Sequence, residues 1–429
     1  MRIVDFTNMR KWLRAICAQP YFSLSPSVFH ISLIILMTII AVPAIAQKKQ
    51  LSQARDILKK GKNVEQAEKL MTTLLKDSAN LDNKRIYDVW LESVMKQYEQ
   101  ANEKLYLKQK QDTAAFFALT SRLFTIAEKL DSIDMRPLPP KKGKQDSAAV
   151  RTNIEYRKEH AEQLVGLRAN LFNGGTYHVR KGSFQKAFDF FEQYLDCRNQ
   201  PLFSSYQLEQ TDSSRMAEAA YWATYCGYRL QNPLYTLRYR TLALADTAKA
   251  AFTLQYMTEA RRWLKDDSLY METLREGFRR YPTNAYFFPR LTDYYIAHGD
   301  HEAALALANS ALATDSSRLY RFAKATALFN LQRYDECIAL SDTLIAMNDS
   351  LPEPYYLAGT AVLNKALRLD ALRHKKLLRK YYQKAQQYME RYRLLAPDDK
   401  QKWGPALYRI YLNLNLGRQF DEIDRLLKN

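Results

Sequence analysis

From residue 284 to 396 the apolar positions fall at helical spacing and are broken by short polar turns. Phe288, Leu291, Thr292 and Tyr295 recur every three or four residues, Gly299-Asp300 interrupts them, and Ala304, Ala308 and Ala311 resume the pattern. Spacings of three and four place side chains on one face of a helix, so the stretch predicts a helix, a tight turn and a second helix. Small residues at Ala304 and Ala308 let the two helices approach closely, while larger apolar side chains fill the gaps between layers.

The pattern recurs down the chain. Thr292 and Tyr295 map onto Ala325 and Leu328, and Ala304, Ala308 and Ala311 onto Cys337, Ser341 and Leu344, all at a shift of 33. Ala325 and Leu328 map in turn onto Gly359 and Val362 at a shift of 34. With that period, the segment Leu331-Gln332-Arg333-Tyr334-Asp335-Glu336-Cys337 resembles the inter-helix turn and second-helix start of the tetratricopeptide repeat. Leu416-Gly417-Arg418-Gln419-Phe420-Asp421-Glu422 is similar with one extra residue, and Gly182-Ser183-Phe184 with Ala187 and Phe191 is another instance, followed by Pro201. Weaker units run from 213 to 246, broken at Asn232-Pro233, and from 250 to 282, broken at Asp266-Asp267. Leu51 to Leu75 breaks at Gly61, and Arg85 to Leu130 reads as two longer helices meeting near Asp112. The resemblance covers about 165 to 429 and, more faintly, 48 to 134, where degenerate hairpins of another solenoid family stay open. It implies an all-α, right-handed superhelical solenoid of antiparallel helix pairs.

Two segments depart from the pattern. Met135 to Val150 contains Arg-Pro-Leu-Pro-Pro-Lys-Lys-Gly-Lys, which cannot continue a helix because proline lacks the N–H donor and clashes with the preceding turn. It reads as a basic linker, 135–150, between a helical segment at 47–134 and the main array at 151–429. The second departure lies at about 363–384: Ala385, Met389 and Tyr392 follow Cys337, Ser341 and Leu344 by 48 residues. The surplus of 14 over a period of 34 is close to four helical turns, so both helices of that pair are expected to grow by two turns into a projecting finger. The finger carries Lys365, Arg368, Arg373, Lys375, Lys376, Arg379 and Lys380 against Asp370 alone. It reads either as a solvated face or as a docking site for an anionic membrane surface, polymer or partner.

Composition agrees with long helices: only 12 Gly and 14 Pro punctuate 429 residues, and 47% hydrophobic content suffices for an extensive interior. The N-terminus changes the picture more. Arg2, Arg10, Lys11 and Arg14 outweigh Asp5, an uncharged apolar stretch follows from Val28 to Ala46, Pro43 breaks it, and Ala44-Ile45-Ala46 has the small-x-small pattern of a cleavage site. Residues 1–46 are therefore expected to be an export signal cleaved after Ala46, or an uncleaved membrane anchor, with Met9 a second candidate start. Either way the bulk of the chain is expected outside the cytoplasm, in the periplasm or on the envelope. The whole chain has a net charge of +18, and cleavage leaves 60 basic against 45 acidic residues. In an exported protein that excess suits anionic envelope components or acidic partner surfaces better than nucleic acid.

The resemblance also implies a binding face. First helices of such repeats line the concave side, which here places Tyr286, Asp293, Phe322, Thr326, Asn330, Tyr356, Thr360, Asn364 and Tyr408 towards a ligand. Phe322 with Tyr356, Thr326 with Thr360 and Asn330 with Asn364 each repeat at 34. Asn donates and accepts, and an aromatic supplies area, which suits an extended peptide or a partner helix. The same positions also suit ordinary packing between repeats.

No phosphate-cradling glycine loop, HExxH or serine elbow occurs. His298 and His301 flank a turn without a carboxylate or Cys set to complete metal ligation, and Asn173-Gly174-Gly175 falls where a repeat wants small residues. Beyond Cys17, the chain has Cys197, Cys226 and Cys337, which read as small packing residues, with a Cys197 to Cys226 bridge as the alternative. We therefore expect no catalytic, cofactor or metal site, and a scaffold for a protein partner of unknown identity. A receptor for glycan or another anionic polymer is the alternative, and a helical cell-wall enzyme a weaker one. Mass spectrometry of the protein recovered from the cell envelope is expected to find Gln47 at its N-terminus; a chain beginning at residue 1 would remove the cleavage reading.

Overall fold

The computed structural model describes residues 47–136 and 154–428. The expected export signal at 1–46 and most of the expected basic linker lie outside the described residues. Among the described residues there are helices and no strand, and no helix is long and apolar enough to cross a membrane.

The chain forms α1 over 47–60 and α2 over Val64–Leu74. Then come α3 at Lys84–Tyr106 and α4 at Thr113–Asp134. The Asp112 carboxylate caps α4 by accepting from the backbone N–H groups of Ala114 and Ala115 at 2.9 and 3.2 Å, where the sequence places the break. After the linker come α5 at Arg157–Val165, α6 at Arg168–Arg180, α7 at Phe184–Asp196 and a single turn, α8, at Leu208–Thr211. The expected pair at 213–246 has one long helix, α9 at Ser213–Arg229, and a second broken into α10 at Pro233–Arg238 and α11 at Arg240–Ala243. Four regular helices follow: α12 at Ala250–Trp263, α13 at Asp267–Arg280, α14 at Phe287–Ala297 and α15 at His301–Thr314. The last three pairs are α16 at Arg318–Asn330 with α17 at Tyr334–Met347, α18 at Pro352–Leu367 with α19 at Lys375–Leu395, and α20 at Lys400–Leu414 with α21 at Gly417–Lys428.

One local device closes most of these hairpins. A residue just past the first helix takes a left-handed conformation: Gly182 (φ 70°), Gln231 (52°), Lys265 (57°), Gly299 (74°) and Gln332 (61°) one residue beyond the helix's C-cap, and Asn415 (57°) at the C-cap itself. The next N–H then donates five residues back. Asp300 to Tyr295 O (2.8 Å), Arg333 to Leu328 O (2.9 Å) and Asp266 to Arg261 O (3.2 Å) are examples. This closure satisfies carbonyls that the helix end would otherwise leave open. The side chains of Asn232, Asp266 and Asp300 then cap the second helix, so a three-residue connection ends one helix and starts the next.

The chain divides into two compact units, the first ending at Ala219 and the second beginning at Ala220, inside α9. In the first unit α4 packs against α6, and the Asp134 carboxylate accepts from the backbone N–H groups of Glu155 and Tyr156 at 2.6 and 3.0 Å. Helices from both sides of segment 135–150 thus share one unit.

In the second unit the packing positions take the places that periodicity assigns. Ala304, Ala308, Cys337, Ser341, Ala385 and Met389 are all fully buried. The expected finger is shorter and less symmetric. The first helix of that pair has 16 residues against 13 in α16, the second 21 against 14 in α17, and residues 368–374 form a loop between them. The Asp370 carboxylate accepts from the N–H groups of Leu372 (2.9 Å) and Arg373 (3.3 Å), a local turn that competes with continued helix. The first helix therefore gains about one turn and the second about two.

Lys265 is exposed in its left-handed conformation, which costs a residue with a Cβ about 1–2 kcal/mol and costs glycine little. Lys265→Gly is expected to raise the melting temperature by roughly 2–4 °C, measured by calorimetry.

Candidate functional site

Phe322, Thr326 and Asn330 stand four residues apart on α16, and Tyr356, Thr360 and Asn364 repeat them on α18. Residues i and i+4 share a face, so each trio is one stripe along its helix. α16 packs against α18, and α18 against α20, while the second helices of these pairs make no comparable approach. Within this unit the first helices therefore approach one another from pair to pair, and all six residues are half-buried.

Their side chains divide by chemistry. Phe322 packs against the core, Tyr356 packs tilted against Tyr392 with ring centroids 5.1 Å apart, and Tyr408 against Phe420 at 4.7 Å. Much of the aromatic area is thus used in packing. Thr326 Oγ1 donates to its own helix at Phe322 O, 3.0 Å away. The amides of Asn330 and Asn364 make no side-chain hydrogen bond among the described residues.

Tyr286 and Asp293 belong to a different arrangement. Tyr286 precedes α14, and its hydroxyl donates to Glu259 Oε1 of α12 at 2.7 Å. The Arg290 guanidinium lies 3.7 Å from the centre of the Tyr286 ring, and Arg262 pairs with Glu259 at 2.6 Å. Burial, then the hydrogen bond to Glu259, raise the Tyr286 hydroxyl well above the usual phenol range, so it stays protonated as a donor. Asp293 is exposed. The 34-residue period points to Tyr286 but passes over Glu259, Arg262 and Arg290, whose only sequence signals are the Glu259–Arg262 and Tyr286–Arg290 spacings.

An aromatic cluster on α9 and α12 also escapes the period. Tyr228 stacks between Tyr256 (4.7 Å) and Trp263 (5.8 Å), and Tyr225 packs against Tyr256 at 5.7 Å. Tyr221, Tyr225 and Tyr228 at helical spacing were its signal.

Elsewhere, buried polar groups serve the fold. In the first unit Arg168, 5% exposed, lies 3.8 Å over the Tyr194 ring and pairs with Asp212, which also accepts from the Tyr194 hydroxyl. A Cβ on Gly174 or Gly175 would meet Phe190 at 2.8 Å or Phe191 at 2.6 Å, which is the packing role the sequence suggests. Cys197, Cys226 and Cys337 are buried and free, and burial pushes the Cys226 and Cys337 thiols up to about 12. His298 stacks on Tyr294 at 3.9 Å, and the described residues hold no group of three His, Cys, Asp or Glu placed to bind a metal.

The basic finger separates into a rooted base and a free tip. Lys365 pairs with Asp335, Arg368 hydrogen-bonds Gln332, and Lys384 lies 3.9 Å from Asp342, all on the preceding pair. Arg373 pairs with Asp370 at 3.6 Å. Lys375, Lys376, Arg379 and Lys380 are exposed and have no partner among the described residues.

No family model matches the chain, and no curated protein matches it. Among solved structures it is similar to the C-terminal part of a TPR repeat-containing protein from Cytophaga hutchinsonii, at 12% identity over 59% of this chain and 92% of that one, with a TM-score of 0.39. It is also similar to the apo form of RapI (13%, 89% and 98%, TM-score 0.31) and to the TPR2AB domain of yeast Sti1 in its pHSP90 complex (14%, 70% and 97%, TM-score 0.24). Likenesses this distant add nothing to the hairpin assignment, which rests on the turns, caps and packing of this chain.

In the first unit, burial and the nearby Asp196 push the Glu128 carboxyl up to about 7, and its Oε1 has no hydrogen-bond partner. Between the ordinary carboxylate range and about 7 the folded chain keeps a proton that the unfolded chain has released, so stability falls as pH rises through that window. Glu128→Gln is expected to melt about 2–4 °C above the parent at roughly pH 8 and to lose most of that advantage near pH 5, followed by circular dichroism.

Proposed function

We propose that this chain of tetratricopeptide-type hairpins is a non-catalytic scaffold of the cell envelope, holding a protein partner along the first-helix side of its second unit. The observation that carries the reading is the pair of amides at Asn330 and Asn364. They stand 34 residues apart at equivalent positions of neighbouring first helices, half-exposed and unused by the fold. An extended peptide presents alternating N–H and C=O groups, and an Asn amide answers both. Phe322 and Tyr356, half-buried two turns earlier on the same helices, offer apolar area already fixed by packing. Rigid groups of this kind lose little freedom on binding, which favours affinity.

The export reading rests on residues 1–46: a basic start, an apolar core, Pro43 and Ala44-Ile45-Ala46. A glycan receptor has less support, because the aromatic rings on α9 and α12 stack on one another, leaving fewer faces for sugars.

Partner capture from envelope extract by the crosslinked chain, with the captured protein identified and its affinity measured, tests the face. Each side-chain amide contributes about 0.5–1.5 kcal/mol through its hydrogen bonds, so Asn330→Ala with Asn364→Ala is expected to weaken binding about tenfold. Surface changes of this kind shift stability by no more than about 0.5 kcal/mol, so the melting temperature is expected to stay put. Undiminished affinity in the double variant would remove this face from the reading.

A further inference from the structure

We infer that the tip of the basic finger, from Leu367 to Lys380, is a docking element for an anionic lipid surface. It begins where the α18 stripe ends, past Asn364, and the inference does not depend on what that stripe holds.

The first observation is an apolar residue with no fold to serve. Leu372 sits in the loop between α18 and α19 with 94% of its surface in water, and Leu367 and Leu377 on either side are 54% and 39% exposed. Single exposed leucines are ordinary, but three around one projecting loop place an apolar point at its end. The second observation is the collar of charge around it. Lys375, Lys376, Arg379 and Lys380 occupy the first turns of α19 and, at about 100° per residue, fall within roughly 140° of its circumference. The acid of the tip, Asp370, is engaged in capping its own loop and in pairing with Arg373.

The third observation concerns the end of the helix on which these cations sit. The N-terminus of a helix carries the positive end of its dipole and favours acids, yet the first turn of α19 holds none. Lys375 and Lys376 are thus where helix stability alone would not put them, and their fields add to that of the helix. A local rule broken in this way, with no compensating contact inside the fold, marks a surface shaped for something outside it.

Together these features select one class of occupant. A nucleic acid or another soluble polyanion would satisfy the cations and leave Leu372 in water. A bilayer rich in anionic headgroups satisfies both, with the leucine below the phosphates and the lysine stems reaching back to them. The base of the finger is tied to the preceding pair through Lys365, Arg368 and Lys384, so docking would fix the scaffold against the membrane.

The test is hydrogen exchange of the full chain, read on peptides covering 365–384, with phosphatidylglycerol-containing vesicles and with pure phosphatidylcholine vesicles. The local readout keeps the result independent of how residues 1–46 treat either lipid. The expected outcome is protection of the tip by the anionic vesicles only, at about 0.1 M salt, with loss of most of it near 1 M as the Debye length falls from about 10 to 3 Å. Lys375→Glu with Lys376→Glu is expected to lower the local vesicle affinity at least about 20-fold while melting no lower than the parent, since acids suit a helix N-terminus, and Leu372→Ser about tenfold while melting as the parent does. No protection by anionic vesicles overturns the inference. Protection unchanged by Leu372→Ser, or matched by a soluble polyanion such as heparin, overturns the lipid assignment.

Discussion

A single helical hairpin cannot cover its own apolar face, and that constraint organises the rest of the molecule. Each pair must lean on the next, so the chain needs the same close contact at each step. Ala304, Ala308, Cys337, Ser341 and Ala385 provide it by being small and fully buried, and they leave room for Phe288, Leu328, Val362 and Met389 to fill the spaces between. The turn completes the device. A left-handed residue followed by a capping group closes a three-residue reversal, as at Gly299-Asp300 and Lys265-Asp266, leaving little freedom in how the second helix returns.

Stacking of this kind satisfies the backbone within helices and turns, and it frees side chains on the first-helix side from structural duty to different degrees. Phe322, Tyr356 and Tyr408 are mostly absorbed by packing, whereas Asn330 and Asn364 are not. Tyr286 shows the opposite extreme. Its hydroxyl, the Glu259 carboxylate and the two flanking arginines satisfy one another, so a residue that looks like part of a ligand surface is also part of a closed ionic cluster.

Electrostatics then separates two kinds of charge. Lys365, Arg368 and Lys384 brace one hairpin on another, while Lys375, Lys376, Arg379 and Lys380 stand free at the positive end of a helix. The net positive charge of the chain is therefore not a uniform coat; part of it is concentrated at one projecting loop beside exposed Leu372.

What the sequence determined by itself was the repeat. Apolar spacing and small residues at a period of 33 to 34 place the helices, the tight turns and most buried positions, because these depend on contacts between residues close along the chain. Only the tertiary structure decided the rest. Glu259, Arg262, Tyr286 and Arg290 come together across two helices, and the α9 and α12 rings stack across another pair, neither following the period. Helices from 47–136 share a unit with helices that follow residue 154, through contacts far apart along the chain. The finger's seven-residue loop exists because the Asp370 carboxylate captures two backbone N–H groups, a local competition with helix that spacing alone does not weigh.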